Sequence, residues 1–215
     1  MVDQTTFLQQ LQRHQASAIL RTNDTAKARH AMDAAVRAGF QIIEFTLSIP
    51  RAVDLIFEYR QRDLLVGAGT VLTVQEVDQV IDAGACFVVS PVVDLAVIQR
   101  CVERNVPCMP GCSTPTEMLL AYEHGAVLQK LFPESPAGPS WVKQTLGPLP
   151  FLKIVPTSGV TLANAAAYLQ AGAFAVGFVN SLFDPADIAA DNCDAIYDRA
   201  VAMLDAVRPF STNTN

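Results

Sequence analysis

The sequence predicts a closed (β/α)8 barrel, the TIM-barrel form of α/β fold, with an extra helix ahead of the first strand. Two observations carry that expectation. One phrase recurs: Ala38-Gly39-Phe40, Ala83-Gly84-Ala85, His124-Gly125-Ala126 and Ala171-Gly172-Ala173 each close a helix-like segment and open an apolar run. Glycine supplies the left-handed backbone that stops a helix just past its end. In addition, apolar runs begin near Ala16, Gln41, Leu64, Cys86, Val106, Ala126, Leu152 and Phe174. They recur about every 20–25 residues with amphipathic stretches between them, as βαβ units of a parallel sheet require. Such units repeated through 215 residues fill one barrel. An open, doubly wound sheet is the alternative. It is disfavoured because Arg21-Thr22-Asn23-Asp24 follows the first run where a Gly-x-Gly-x-x-Gly turn would stand.

Taken in order, Phe7–His14, within an N-terminal segment 1–15, reads as the extra helix. Helical patterns follow over Thr25–Ala38, Val74–Ala83, Leu95–Arg104 and Leu162–Ala171, with Thr161 placed to cap the last of these. The final helix is expected as one piece from about Asp187 to Val207. No linker or composition shift interrupts the chain, so residues 1–215 read as a single domain with a frayed polar tail at 211–215.

Composition narrows the function classes. Hydrophobic residues make up 51% and charged residues 17%, as buried parallel strands demand. A net charge of −6 argues against a nucleic-acid partner, because phosphate backbones select basic surfaces. The polar N-terminus lacks the basic-then-apolar order of a signal peptide. No stretch approaches the roughly 18 apolar residues of a membrane span. The cysteines number 5, with no Cys-x-x-Cys pair. They read as reduced thiols of a cytoplasmic protein. Cys108 and Cys112 have no histidine near them in sequence, so no metal site is expected.

In such barrels the chemistry sits at the carboxyl ends of the strands. Those ends carry Arg21, then Glu44 and Thr46, then Gly67-Ala68-Gly69-Thr70, Ser90-Pro91 and Pro110-Gly111-Cys112-Ser113-Thr114. Lys130 and Phe132, Thr157-Ser158-Gly159, and Asn180 with Ser181 complete the ring. Lys130 lies in the apolar run from Ala126 to Pro133, where an ammonium costs several kcal/mol unless paired or deprotonated. Two readings stand at this point. Lys130 and Glu44 form a structural ion pair, or burial makes Lys130 an amine nucleophile that attacks a ketone as a Schiff base. In the second reading Glu44, the sole carboxylate among those strand ends, shuttles protons. Arg21 clamps a carboxylate with its planar fork. Thr46, Thr70 and Thr114 orient hydroxyls or carbonyls. A phosphate is expected at Thr157–Thr161, resting mainly on backbone N–H groups. A phosphosugar isomerase with Glu44 as base, and a non-catalytic keto-acid-binding barrel, are the rival classes. His14, His30 and His124 fall on helices away from the strand ends and are assigned no chemistry.

Seven phrases in order then match a known family: Ile43-Glu44-Phe45-Thr46, Val66-Gly67-Ala68-Gly69-Thr70-Val71, Val89-Ser90-Pro91, Met109-Pro110-Gly111, Thr114-Pro115-Thr116-Glu117, Lys130-Leu131-Phe132-Pro133 and Val155-Pro156-Thr157. From about Ala16 to Ala206 the chain resembles the class I aldolases that act on 2-keto-3-deoxy-6-phosphogluconate and 4-hydroxy-2-oxoglutarate. The resemblance implies a (β/α)8 homotrimer without metal or cofactor. It implies that Lys130 forms the Schiff base with pyruvate, that Glu44 shuttles protons through water, that Thr70 holds the pyruvyl group, and that Pro91 and Phe132 wall the pocket. The implied reaction splits a 2-keto-3-deoxy sugar acid, foremost the 6-phosphogluconate, into pyruvate and an aldehyde, glyceraldehyde 3-phosphate in that case; 4-hydroxy-2-oxoglutarate, or an unphosphorylated or galactonate-type acid, is the alternative substrate. The chain departs from the family at Ser48, where relatives place a carboxylate-binding arginine that Arg21 would replace. It departs again at Ser158, and at Val179 and Asn180, where relatives carry glycine, then glycine and serine.

Overall fold

The computed structural model describes residues 3–211. Asp3 accepts the Thr6 amide at 2.9 Å and starts helix α1, Gln4–His14. The chain then alternates strand and helix: β1 Ala16–Leu20, α2 Thr25–Ala38, β2 Ile42–Thr46, α3 Ala52–Tyr59, β3 Leu65–Gly69 and α4 Val74–Asp82. It continues through β4 Phe87–Ser90, α5 Leu95–Glu103, β5 Cys108–Cys112, α6 Pro115–Glu123, β6 Gln129–Leu131 and α7 Pro139–Leu146. It ends with β7 Ile154–Pro156, α8 Ala165–Gln170, β8 Val176–Phe178, α9 Pro185–Ala190 and α10 Cys193–Val207.

All strand pairs are parallel, and β8 returns to β1 with Ala16 opposite Val176. The remaining seam is bridged just before β8, where the Phe174 amide donates to the Ile154 carbonyl of β7 at 2.8 Å. That return excludes the open, doubly wound sheet, whose first and last strands lie apart. The barrel is therefore the predicted (β/α)8 fold.

Side chains alternate across the wall with the period of two that a strand imposes. In β2, Ile43 and Phe45 join the outer core beneath the helices, while Ile42 joins a separate cluster inside the barrel. Phe87, Val89, Met109, Leu128, Val155 and Ala175 complete that inner cluster, and α1 seals it from below with Phe7 and Leu11. The Phe7 ring stacks on Phe87 with centroids 4.8 Å apart. The lower interior is thus filled mainly with hydrocarbon, Ser17 being a buried polar side chain at its level.

Four details differ from the sequence expectation. Strand hydrogen bonding starts later than the apolar runs in places, at Gln129 rather than Ala126 and at Val176 rather than Phe174. Leu128 and Ala175 are buried in the barrel before the ladder begins, and hydrophobicity does not separate that from pairing. The final helix is two helices, broken at Asp191 in the left-handed region at φ 56°. Asn192 then caps α10 by accepting the Ala195 amide at 3.4 Å. Thr161 is not the cap of α8; Asn164 occupies that position, and its side-chain oxygen accepts the upstream Thr161 amide at 2.8 Å rather than a helix amide. Of the tail, Ser211 donates its amide to the Arg208 carbonyl at 3.1 Å, and 212–215 lie outside the described residues.

Phe7→Ala is expected to lower unfolding free energy by about 3–5 kcal/mol, the usual cost of emptying a well-packed aromatic site. Urea unfolding measures it. A loss under about 1 kcal/mol would show that α1 does not seal the barrel.

Candidate active site

Glu44 and Lys130 project into the upper interior from β2 and β6, on opposite sides of the wall. Glu44 is 1% exposed and Lys130 6% exposed. Neither Glu44 oxygen has a hydrogen-bond partner. The two side chains are therefore not the hydrogen-bonded structural pair that was one reading of the sequence. Desolvation raises the Glu44 pKa, with the charges of Lys130 and Arg21 pulling it back. Burial lowers the Lys130 pKa; Glu44 opposes this and Arg21 adds to it. Burial drives both groups toward their neutral forms, an amine and a carboxylic acid. The Lys130 amino group also lies 5.2 Å from the centre of the Phe132 ring, whose face favours a cation at that position.

The neighbouring strand makes room for Glu44. Gly69 of β3 pairs with Thr46, and a methyl group on Gly69 would lie 1.9 Å from a Glu44 oxygen. Thr46 itself is engaged within the wall: its hydroxyl donates to the Leu20 carbonyl at 3.1 Å and meets the Ser48 hydroxyl at 2.8 Å. Thr70 follows β3 at φ 61°, a left-handed conformation that costs a β-branched residue about 1–3 kcal/mol. Its hydroxyl accepts from Arg21 at 3.3 Å, so the strained turn places a partner for the guanidinium.

A cavity of about 500 Å³ opens above Lys130, well within the size range of small-molecule sites. Arg21, Lys130, Phe132, Thr157, Ser158, Gly159 and Asn180 all line it, with Ile19, Val160, Thr161, Val179 and Ser181. Glu44, Thr46 and Thr70 are not part of that lining, and neither is Pro91. Its carbonyl packs against Gly111, where a methyl group would meet it at 2.3 Å. Thr114 is a helix cap rather than a site residue, because its hydroxyl and Glu117 form a reciprocal box at the start of α6. His30 lies on α2 and His124 just past the end of α6, both outside the cavity. Among the described residues, no group of 3 or more His, Cys, Asp or Glu gathers as a metal site would require.

Sequence reasoning missed Glu134. It stands two residues past Phe132, and its carboxyl group packs onto Gly159, where a methyl group would lie 1.9 Å from it. No local pattern joins residues 134 and 159; they meet because the β6 and β7 loops adjoin.

The family model described as KDPG and KHG aldolase matches residues 8–199. The chain belongs to that family. It is an aldolase, and so a lyase. A probable 2-dehydro-3-deoxy-6-phosphogalactonate aldolase from Rhizobium meliloti (strain 1021) is 36% identical over 193 residues, covering 88% of this chain and 89% of the relative. The 2-dehydro-3-deoxy-6-phosphogalactonate aldolase of Escherichia coli (strain K12) is 32% identical over 195 residues, covering 89% and 93%. A solved native KDPGal structure aligns with a TM-score of 0.81 at 30% identity, over 91% of this aldolase and 95% of that chain.

The depressed lysine of this aldolase has a consequence for stability. The unfolded chain holds its Lys130 proton up to about the ordinary value of 10.5, while the folded chain releases it at lower pH. Between those two points the unfolded state binds more protons, so stability rises with pH there. Urea unfolding of wild type and Lys130→Met is therefore expected to show a gap in favour of the variant at neutral pH that narrows as pH climbs toward 10.5. A gap independent of pH would mean that the lysine is not depressed.

Proposed function

We propose that this aldolase works through a Schiff base on Lys130 and cleaves a 2-keto-3-deoxy sugar acid to pyruvate and an aldehyde. The observation that supports this most is the buried, unpaired Glu44 carboxyl across the barrel from a buried Lys130 that itself lines an open cavity. The neutral amine of Lys130 adds to the C2 ketone and forms a carbinolamine. Loss of water gives the iminium, with Glu44 supplying and accepting protons, through water where the reach requires it. Phe132 beneath the nitrogen favours the positive iminium. Glu44 then takes the C4 hydroxyl proton, the C3–C4 bond breaks, and the electron pair moves into the iminium to leave an enamine and a free aldehyde. Protonation at C3 restores an iminium, and water releases pyruvate and the amine. Arg21, braced by Thr70, supplies the cation for the C1 carboxylate in place of the family arginine absent at Ser48.

The motifs pointed first to the 6-phosphogluconate acid, with a galactonate-type acid among the alternatives, and the names of two relatives carry the galactonate form. The two differ at C4 and share the C1–C3 keto-acid portion that Lys130, Glu44 and Arg21 address. The homotrimer common among such enzymes is part of the proposal, with exposed Leu72, Val74, Val92 and Leu95 as apolar surface near the barrel mouth. A reducing, cytoplasmic setting fits the free thiols at Cys86, Cys101, Cys108, Cys112 and Cys193. No helix among the described residues is long and apolar enough to cross a membrane.

Borohydride added with pyruvate is expected to fix a three-carbon adduct on Lys130, read by peptide mass. Active enzyme with an unmodified Lys130 would sink the mechanism. Glu44→Gln is expected to lower kcat by about 10²–10⁴-fold while still allowing the adduct to form slowly, as loss of a general acid–base does. Wild-type kcat in that variant would remove Glu44 from the chemistry.

A further inference from the structure

The segment after β8 forms one side of the cavity. Val179, Asn180 and Ser181 line it. Leu182 and Phe183 follow at once and are buried. Their amides share the Val179 carbonyl, at 3.1 Å and 2.8 Å, so residues 179–183 make one tight turn. On the cavity side, the Ser181 hydroxyl donates to the Val160 carbonyl of the β7 loop at 2.6 Å. From the helix layer, Arg199 of α10 reaches the same turn, and its Nε donates to the Leu182 carbonyl at 3.1 Å.

The guanidinium has a second engagement. Its Nη1 pairs with Asp187 of α9 at 2.7 Å, both side chains being partly buried. That hydrogen bond holds the Asp187 carboxyl below its ordinary pKa. Asp187 also accepts the Asn192 side-chain amide at 2.9 Å, and Asn192 caps α10. Helix α9 is fastened on its other side, where the Lys27 ammonium of α2 donates to the Ala189 carbonyl at 2.6 Å. The third nitrogen of Arg199, Nη2, is buried without a partner. A stranded donor beside an ion pair is a poor way to gain stability. What the planar fork supplies is direction, because Nε and Nη1 lie in one plane and fix the Leu182 carbonyl relative to the anchored Asp187 carboxylate.

Resting on the aldolase reading, we propose that Arg199 is a positioning residue for the half of the substrate that departs as the aldehyde. It is not part of the cavity lining and touches no substrate. It acts through the Leu182 carbonyl on the turn that presents Asn180 and Ser181. The keto-acid half is held by Lys130 and Arg21, from β6 and the end of β1, and does not depend on that turn.

The test runs the reaction as a condensation of pyruvate with glyceraldehyde 3-phosphate or glyceraldehyde, whichever the wild type accepts better. Arg199→Lys keeps a charge opposite Asp187 and gives up the fork. It is expected to raise the KM for the aldehyde about tenfold, the scale of one charge-assisted hydrogen bond. The KM for pyruvate, and the rate at which borohydride traps pyruvate on Lys130, are expected to stay at wild-type values. Arg199→Met combined with Asp187→Asn removes both charges together, so the variant folds without an unpaired carboxylate. It is expected to raise the aldehyde KM at least as far. A merely structural role would lower the active fraction and leave both KM values alone. An unchanged aldehyde KM in the two variants, or a parallel rise in the pyruvate KM, overturns the proposal. A wild type that traps pyruvate but condenses neither aldehyde overturns it while the Schiff base survives. A wild type that traps no pyruvate removes the aldolase reading and the proposal together.

Discussion

The structure depends on keeping two ionisable groups out of water without letting them neutralise each other by contact. Glu44 is buried with both oxygens unpartnered, and Lys130 is buried across the barrel from it. Desolvation of a carboxylate or an ammonium costs several kcal/mol, and a contact ion pair would recover only part of that. Shifting each pKa toward the neutral form is the other response, and it moves Lys130 toward the amine, the form with a free lone pair. The instability of the couple and its reactivity thus have one cause.

The rest of the barrel makes that couple tolerable. An apolar cluster packs the interior below it, from Ile42 and Leu128 down to the Phe7–Phe87 stack. Gly69 leaves space that any side chain would take from Glu44. Thr46 ties β2 to the end of β1 through the Leu20 carbonyl and holds the wall where Arg21 emerges. Thr70 accepts an unfavourable backbone conformation and meets the guanidinium. Backbone strain at a site is sustained only by surrounding packing, and here the ring of parallel strands supplies it.

The far end of the cavity is governed by loops rather than by the wall. Ser158 and Asn180 come from segments after β7 and β8, and neither belongs to the regular alternation of the strands. Substrate selection at that end can change while the keto-acid end stays constant, because a loop residue alters charge without disturbing the ladder. The departures from the family pattern at Ser158, Val179 and Asn180 all fall in that region.

Much of this was legible in the residues alone. The repeated glycine stops and apolar runs determined the strand and helix order, since both follow from local conformational preference and burial. The same reading put Lys130, Glu44 and Arg21 at strand ends, and parity along each strand then sends them inward together. Helix ends were less legible. The break at Asp191 and the cap at Asn164 depend on individual hydrogen bonds that a periodicity does not carry. What the sequence by itself determined is therefore the barrel and the lysine–glutamate couple within it. Only the tertiary structure decided that the two are buried without a hydrogen bond between them, and that Glu134 rests on Gly159. Both are contacts between strands or loops distant in sequence, fixed by barrel closure and register rather than by any local pattern.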